Sequence, residues 1–372
     1  MKDLGGREKA LLVAAKLAGE SMTEVEESLG ELERLADSAG AQVVDHVIQE
    51  RRGRDPRFFI GEGKARELKV SYGGQINLIV FDGDLSGTQQ RNLEEILEVK
   101  ILDRSALILD IFAQRAHTRE GMMQVELAQM EYLLSRLVRR DTSLSRLGGG
   151  IGTRGPGETK LESDRRRLHK RVARIRERLQ KVRQSREIMR RNREKRDLPI
   201  VSLVGYTNAG KSSLFNMLTR ANAVVEDRLF ATLDPTVRRM CLPGGQIVLL
   251  FDTVGFIRKL PHQLIHAFRA TLEELLSADL LLHVVDASHP RREEQIGAVN
   301  EVLGEIGVAH KPILQVFNKI DRLNHGDQVP FPTTRERVAV SARTGDGIGD
   351  LRWRIQSCLN PNLHALGQFR SS

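Results

Sequence analysis

The stretch Gly205-Tyr206-Thr207-Asn208-Ala209-Gly210-Lys211-Ser212 decides how this chain is read. Before it, Ile200 to Val204 is an apolar run of strand length. After it, Ser213 to Thr219 has the pattern of a helix. Strand, glycine-rich loop and helix in that order form a phosphate cradle. The glycines let backbone N–H groups wrap the phosphates, and the helix turns its positive end toward them. Lys211 is placed to reach the β- and γ-phosphates, and Ser212 to ligate Mg²⁺.

Three further motifs follow, each behind an apolar strand candidate. Asp252-Thr253-Val254-Gly255 comes after Ile247 to Phe251. Its acid can hold Mg²⁺ through water, and the Gly255 amide can face a γ-phosphate. Asn318-Lys319-Ile320-Asp321 comes after Ile313 to Phe317. A carboxylate at Asp321 accepts two hydrogen bonds from guanine N1 and N2, a donor pair that adenine lacks. Ser341-Ala342-Arg343 follows Val338 to Val340 and can offer a backbone amide to guanine O6. Further strand and helix candidates are Leu280 to Val285 and Ile348 to Leu359. Four motifs in order at the C-terminal ends of strands are the placement of an open α/β sheet. They predict a site for GTP and GDP.

The loop between Asn222 and Arg239 should add a threonine ligand for Mg²⁺ and the γ-phosphate. Thr232 and Thr236 both qualify. Phe230-Ala231-Thr232-Leu233-Asp234-Pro235 resembles the corresponding loop of Obg-like GTPases, which favours Thr232. Phe256 stands where small GTPases often carry a glutamine that orients the attacking water. A phenyl ring cannot hold water, so no catalytic side chain is assigned and hydrolysis is expected to need a partner. Asn208 has two readings: a ligand for K⁺ beside the phosphates, or a residue that shapes the loop.

Working outward, 372 residues predict two to three domains. With 40% hydrophobic and 29% charged residues, the chain is neither collagen-like nor wholly disordered. No apolar run reaches the roughly 18 residues that span a bilayer, and the polar start shows no signal peptide. Cys241 and Cys358 are the only cysteines, which excludes a disulfide framework and a cysteine zinc site. A reduced, cytoplasmic setting is expected. His117, His283 and His289 lack metal-ligand spacing and are read as structural. The net charge is +9, yet Lys160 to Asp197 holds 17 basic and 6 acidic residues. The cationic character therefore belongs to one segment and points to a polyanion, nucleic acid above all.

That segment is one arm of a predicted antiparallel helical hairpin. Met123, Leu127, Met130, Leu134 and Leu137 form one heptad seam, and Leu161, Leu168, Val172, Ile175, Leu179, Val182 and Met189 another. Between them, Gly148 to Gly157 contains six glycines and is read as a non-helical tip. Leu198-Pro199 ends the second helix.

The first hundred residues predict a small α/β domain. Strand candidates are Ala10 to Leu17, Ala41 to Gln49 and Ile76 to Phe81. A capping box of Thr23 and Glu26 opens a helix with Val25, Leu29, Leu32 and Ala36 inward, and Ser86 to Glu98 is a second helix. Gly61-Glu62-Gly63-Lys64 is read as a helix start, with a second nucleotide site as the minor alternative. The predicted fold is thus an α/β domain over 1–115, a basic hairpin over 116–197 and a P-loop GTPase domain over 198–372, its mostly parallel sheet flanked by helices.

Three segments give the sequence a resemblance to the HflX family of ribosome-associated GTPases. They are Asp103 to Ala116, Gln124 to Gln129, and Gly149-Gly150-Ile151-Gly152-Thr153-Arg154-Gly155-Pro156-Gly157-Glu158-Thr159-Lys160-Leu161-Glu162; the hydrophobic residue after Asp252-Thr253-Val254-Gly255 also fits. The resemblance implies GTP hydrolysis stimulated by the large ribosomal subunit, and splitting or rescue of stalled or idle ribosomes. Arg154 and Lys160 are the residues expected to touch ribosomal RNA. A monomer is expected. The alternatives are a GTPase for large-subunit assembly, and an ATP-driven RNA remodeller that uses the N-terminal domain.

Overall fold

A computed structural model describes residues 7–144, 156–194, 198–219, 229–230, 236–258, 275–323, 334 and 336–360. The chain forms two compact units, residues 1–180 and 181–372.

The first unit opens on β1 (Lys9–Lys16), whose middle is buried. A near-continuous apolar strand of this kind suits the centre of a sheet covered on both faces. Helix α1 (Met22–Ser38) follows, then the edge strand β2 (Gln42–Glu50), α2 (Glu62–Tyr72), β3 (Leu78–Phe81), α3 (Gly87–Leu97), β4 (Lys100–Asp103) and α4 (Arg104–Arg115). The strands stand in the order β2-β1-β3-β4 and all pair parallel. Leu11, Val13, Ile79, Phe81 and Ile101 pack with Phe58, Phe59, Leu68 and Leu93 into a core.

One local expectation needs correction and another holds. The capping box of α1 is Ser21 with Glu24, two residues before Thr23 and Glu26. Both pairs satisfy the same short pattern, so the pattern could not choose between them. Gly61 does precede a helix: it stands at φ 93 before α2, and Lys64 is spent on Glu67 at 2.6 Å.

The hairpin helices are α5 (Arg119–Leu144) and α6 (Pro156–Glu194). The middle of each seam meets its partner: Leu127 and Leu134 pack with Val172, Ile175 and Leu179, and Met123, Met130 and Leu168 flank them, while the side chains of Leu161 and Met189 lie outside the described residues. Arg171 reaches Glu126 at 2.6 Å, and Arg176 reaches Glu131 at 2.7 Å. Helix α6 begins inside the stretch read as non-helical. Pro156 opens it, because proline lacks only an N–H that the first turn does not use. Lys160 therefore lies on the helix, while Arg154 falls outside the described residues.

The second unit is a six-stranded sheet. Its strands are β5 (Ile200–Gly205), β6 (Thr236–Cys241), β7 (Ile247–Asp252), β8 (Leu280–Asp286), β9 (Ile313–Asn318) and β10 (Arg337–Ala339). The order is β10-β9-β8-β5-β7-β6, parallel except for the β6–β7 pair. Helices α7 (Lys211–Thr219), α8 (Arg292–Ile306) and α9 (Ile348–Leu359) accompany it. Strand β5 lies centrally and is buried throughout, so the loop after it emerges from the middle of the sheet.

Candidate nucleotide-binding site

The turn from β5 into α7 carries the glycine-lysine-serine motif. Gly210 stands at φ 91, and a Cβ there would run into the Asn318 side-chain amide. Only glycine suits both the left-handed backbone and that close approach. Asn208 also lies at positive φ, 60°, with its side chain exposed. Asparagine tolerates this conformation better than most residues, which gives it a local shaping role.

Lys211 is buried, and its Nζ donates to the carbonyls of Gly205 at 3.1 Å and Tyr206 at 2.8 Å. Burial lowers its pKa to about 8, against the pull of Asp252 in the other direction. Ser212 Oγ donates to Asp252 Oδ2 at 2.8 Å. Two hard oxygens side by side suit Mg²⁺, which takes one or two protein ligands and completes its shell with phosphate and water. Among the described residues no group of three or more His, Cys, Asp or Glu gathers into an all-protein metal site. Thr207 Oγ1 is buried with no hydrogen-bond partner among the described residues. A buried hydroxyl of that kind calls for an acceptor, and a phosphate on the loop supplies one. Ser213 is half-buried on the first turn of α7.

The next strand end places Asp252, Thr253, Val254, Gly255 and Phe256 against this loop, all buried. Thr253 Oγ1 donates to the Leu203 carbonyl at 2.6 Å. Phe256 enters a parallel bridge with Tyr206. Phe230 is buried at φ 57. Ala231, Thr232, Leu233 and Asp234 lie outside the described residues, and Thr236 begins β6.

The base-recognition motifs meet the loop from the other side. Asn318 Nδ2 donates to the Ala209 carbonyl at 2.9 Å, while its Oδ1 accepts from the Ala342 amide at 2.9 Å. One buried side chain thus fastens the phosphate loop to the Ser341-Ala342-Arg343 loop. Ser341 Oγ donates to Asp321 Oδ1 at 2.6 Å and accepts from the Arg343 amide at 3.3 Å. Asp321 stays exposed, with a carboxylate oxygen beyond the one Ser341 holds.

Sequence reasoning missed one participant. Asp286, at the end of β8, pairs with Lys319 Nζ at 2.7 Å. Its only signal was an acid closing an apolar strand. His283 sits inside the same strand; burial first, then Lys211, lowers its pKa to about 4, so it is neutral at ordinary pH.

A phosphate loop after the central strand of a mainly parallel sheet, with an Asp-x-x-Gly loop and an Asn-Lys-x-Asp loop beside it, defines a P-loop GTPase. Residues 26–113 match the family described as GTP-binding GTPase N-terminal. Residues 115–193 match the GTP-binding GTPase middle region, and 200–319 the 50S ribosome-binding GTPase family. The GTPase HflX of Caldanaerobacter subterraneus subsp. tengcongensis is 51% identical over 351 residues, 94% of this chain and 80% of that one. The GTPase HflX of Escherichia coli K12 is 50% identical over 332 residues, 87% of this chain and 77% of that one. A crystal structure of the SsGBP and GDP complex is 26% identical with a TM-score of 0.52, covering 95% of this chain and 99% of that one. The chain belongs to the HflX family of GTPases. It is a GTP hydrolase that binds GTP and GDP. Among the described residues no helix is long and apolar enough to cross a membrane.

Proposed function

We propose that this GTPase acts in the cytoplasm on the large ribosomal subunit and uses GTP to split or rescue stalled or idle ribosomes. The observation that carries the RNA part is a cationic stripe on α6. Arg171 and Arg176 are spent on α5, but Arg167, Lys170, Arg174 and Arg178 are all exposed off the seam. Steps of three and four residues return to one helix face, so these four form a single row. At about 1.5 Å per residue, neighbouring charges rise roughly 4.5 to 6 Å, a spacing suited to successive phosphates of one RNA strand. Arg154 and Lys160 extend the same basic segment. The 50S-binding description of the matched family supports the partner. The hairpin serves as the RNA-binding arm within a division at 1–115, 116–197 and 198–372, and the protein works as a monomer.

At the nucleotide, amides of the loop from Gly205 through Ser213 hold the phosphates and Lys211 neutralises the β- and γ-oxygens. Ser212 and Thr232 would hold Mg²⁺, with Asp252 acting through water, and the ion would supply positive charge against the phosphates. Residues 230–234 and the Asp252-Thr253-Val254-Gly255 loop sense the γ-phosphate. Asp321 reads guanine, Lys319 supports the base site, and Ser341, Ala342 and Arg343 close it. K⁺ at Asn208 is a second cation in this reading. Phe256 offers no side-chain hydrogen bond to water, so hydrolysis is slow until the ribosome completes the site.

The test is a density-gradient profile of ribosomes with GTP, a non-hydrolysable analogue or GDP. A splitting factor lowers the joined-ribosome peak and raises free subunits with the triphosphates. Co-migration with precursor particles, and an unchanged joined peak, supports the assembly alternative instead. Changing Arg167, Lys170, Arg174 and Arg178 together to glutamine keeps helix-compatible side chains. It should weaken large-subunit binding and flatten its salt dependence. Unaltered binding would return the stripe to a solvated helix face.

A further inference from the structure

Lys319 and Asp286 are joined across the strand ends of the second sheet. Lys319 follows β9 and Asp286 ends β8. Lys319 Nζ lies 2.7 Å from Asp286 Oδ2, and the two side chains are only 14% and 13% exposed. The carboxylate is itself held in place. Its Oδ1 accepts from the Ser288 amide at 3.0 Å and from the Ser288 hydroxyl at 2.6 Å. The backbones are fastened as well, since the Ala287 amide donates to the Asn318 carbonyl at 2.8 Å. Lys319 takes a left-handed conformation, φ 66. A residue with a Cβ keeps that conformation only where its surroundings demand it.

The direction of the lysine stem matters more than its charge. In the sheet order, β8 stands between β9 and β5. Asp321 and Ser341 follow β9 and β10, and the phosphate loop follows β5. From Cα to Nζ the Lys319 stem therefore runs from the base-reading side toward the phosphate side. A Cβ placed on Gly210 would meet Lys319 Cε at 3.9 Å, so the stem passes beside the phosphate loop. Burial first, and the charge of Lys319 with it, lower the pKa of Lys211. A nucleotide with its base at Asp321 and its phosphates at Lys211 carries its nucleoside over these methylenes. The ammonium is already engaged by a carboxylate, so the stem is the part left to meet a ligand.

We propose that Asp286 is a positioning residue of the nucleotide site: it holds Lys319 stretched across the strand ends, so that the lysine stem forms a preset floor for the nucleoside. Asp286 acts through Lys319 and not on the nucleotide itself. A free lysine side chain gives up its rotamer freedom when a ligand settles on it. Here the carboxylate has fixed the stem before any nucleotide arrives. It also neutralises an ammonium that would otherwise sit largely buried without a partner, or turn toward the phosphates. The proposal rests on the nucleotide site described above. It extends that site to an acid on β8, a strand that carries none of the four motifs.

The test is a double-mutant cycle in the full chain, read by equilibrium binding of GDP and of a non-hydrolysable GTP analogue, both with Mg²⁺. Asp286→Ala should weaken both nucleotides by the same factor, about 2- to 10-fold, the scale of immobilising one lysine side chain on binding. Lys319→Ala removes the stem and should cost at least as much. With Lys319 already changed to alanine, Asp286→Ala should cause no further loss. Ser288→Ala keeps the Asp286–Lys319 pair and tests the loop by itself; both affinities should stay within about twofold of the original. Equal losses from Asp286→Ala in the two backgrounds would mean that the acid merely builds its own loop, and they overturn the proposal. A Ser288→Ala loss as large as that of Asp286→Ala overturns it too. So does a loss confined to the triphosphate, which would make the ammonium a phosphate ligand. Normal binding of both nucleotides by Lys319→Ala would take Lys319 out of the nucleotide site, and the proposal would fall with that reading.

Discussion

The two sheets of this molecule, one parallel and one mainly so, carry polar residues at the C-terminal ends of their strands, and they use them in opposite ways. In the first unit these residues consume one another. Arg104 donates to Asp82 at 2.8 Å and pairs with Glu31, and all three are buried. Asp103 accepts from the Leu85 amide at 3.0 Å, the Ala106 amide at 2.8 Å and the Tyr132 hydroxyl at 2.8 Å, and also pairs with Arg136. Burial raises the pKa of Asp103, with Arg136 opposing the rise. In the second unit the strand ends brace loops instead. Asn318 and Asp252 orient a glycine turn and Ser212, where an anion can meet the loop and Lys211. Strand-end acids alone therefore do not make a site. The glycine turn ahead of a helix N-terminus does.

The largest expected effect breaks the first network. Arg104→Met leaves Glu31 and Asp82 buried without their cation and should destabilise the first unit by about 3–5 kcal/mol. Chemical denaturation measures the loss, and GDP affinity should not change. Loss of GDP binding from a folded variant would mean that the two sheets share the nucleotide site, and the contrast would fail.

The second network is tested at its base-reading end. Asp321→Asn should weaken GTP binding by about 2–3 kcal/mol and relax the preference over ATP, because a charged acceptor pair is lost. Competition binding with both nucleotides reads the two effects together. Unchanged affinity and preference would leave Asp321 as a partner of Ser341 only.

Lys211 sharpens the comparison through pH. Its pKa is lowered to about 8 from an ordinary 10.5, so the nucleotide-free protein loses this proton as pH rises through 8. Phosphate binding uses the charged form. GTP affinity should be flat below about pH 7 and fall above pH 8, by up to roughly tenfold per unit. A profile flat to pH 9 would show that Lys211 keeps its charge in the free site.

The smallest effect concerns the exposed side chain of Asn208. Hydrolysis should run modestly faster in potassium than in sodium at equal ionic strength if that side chain holds K⁺. Equal rates would leave Asn208 with the shaping role its φ of 60° already supplies.

Much of the architecture was legible because it rests on short-range rules. The heptad seams of α5 and α6 packed as spaced, since helical periodicity alone decides which residues share a face. The strand–loop–helix around Lys211 was legible for the same reason. The elements that went unread are short or two-faced. Helix α4 buries Arg104 and Ser105 beside its apolar residues, so its hydrophobic face was blurred. Strand β4 has four residues, too few to show a period. Helix α6 opened at Pro156, where composition argued for a loop and end-of-helix geometry argued otherwise.

The sequence by itself pointed to a GTPase through four ordered motifs, because each motif keeps its chemistry within a few adjacent residues. It also determined where the positive charge lies. Only the tertiary structure decided which polar groups are spent and which are left. Asp103 finds Tyr132 and Arg136 on another helix, and Asn318 finds Ala209 more than a hundred residues away. Tyr206 meets Arg258 across the gap between two strands. No local pattern encodes such meetings, because they follow from which strands lie side by side in the sheet.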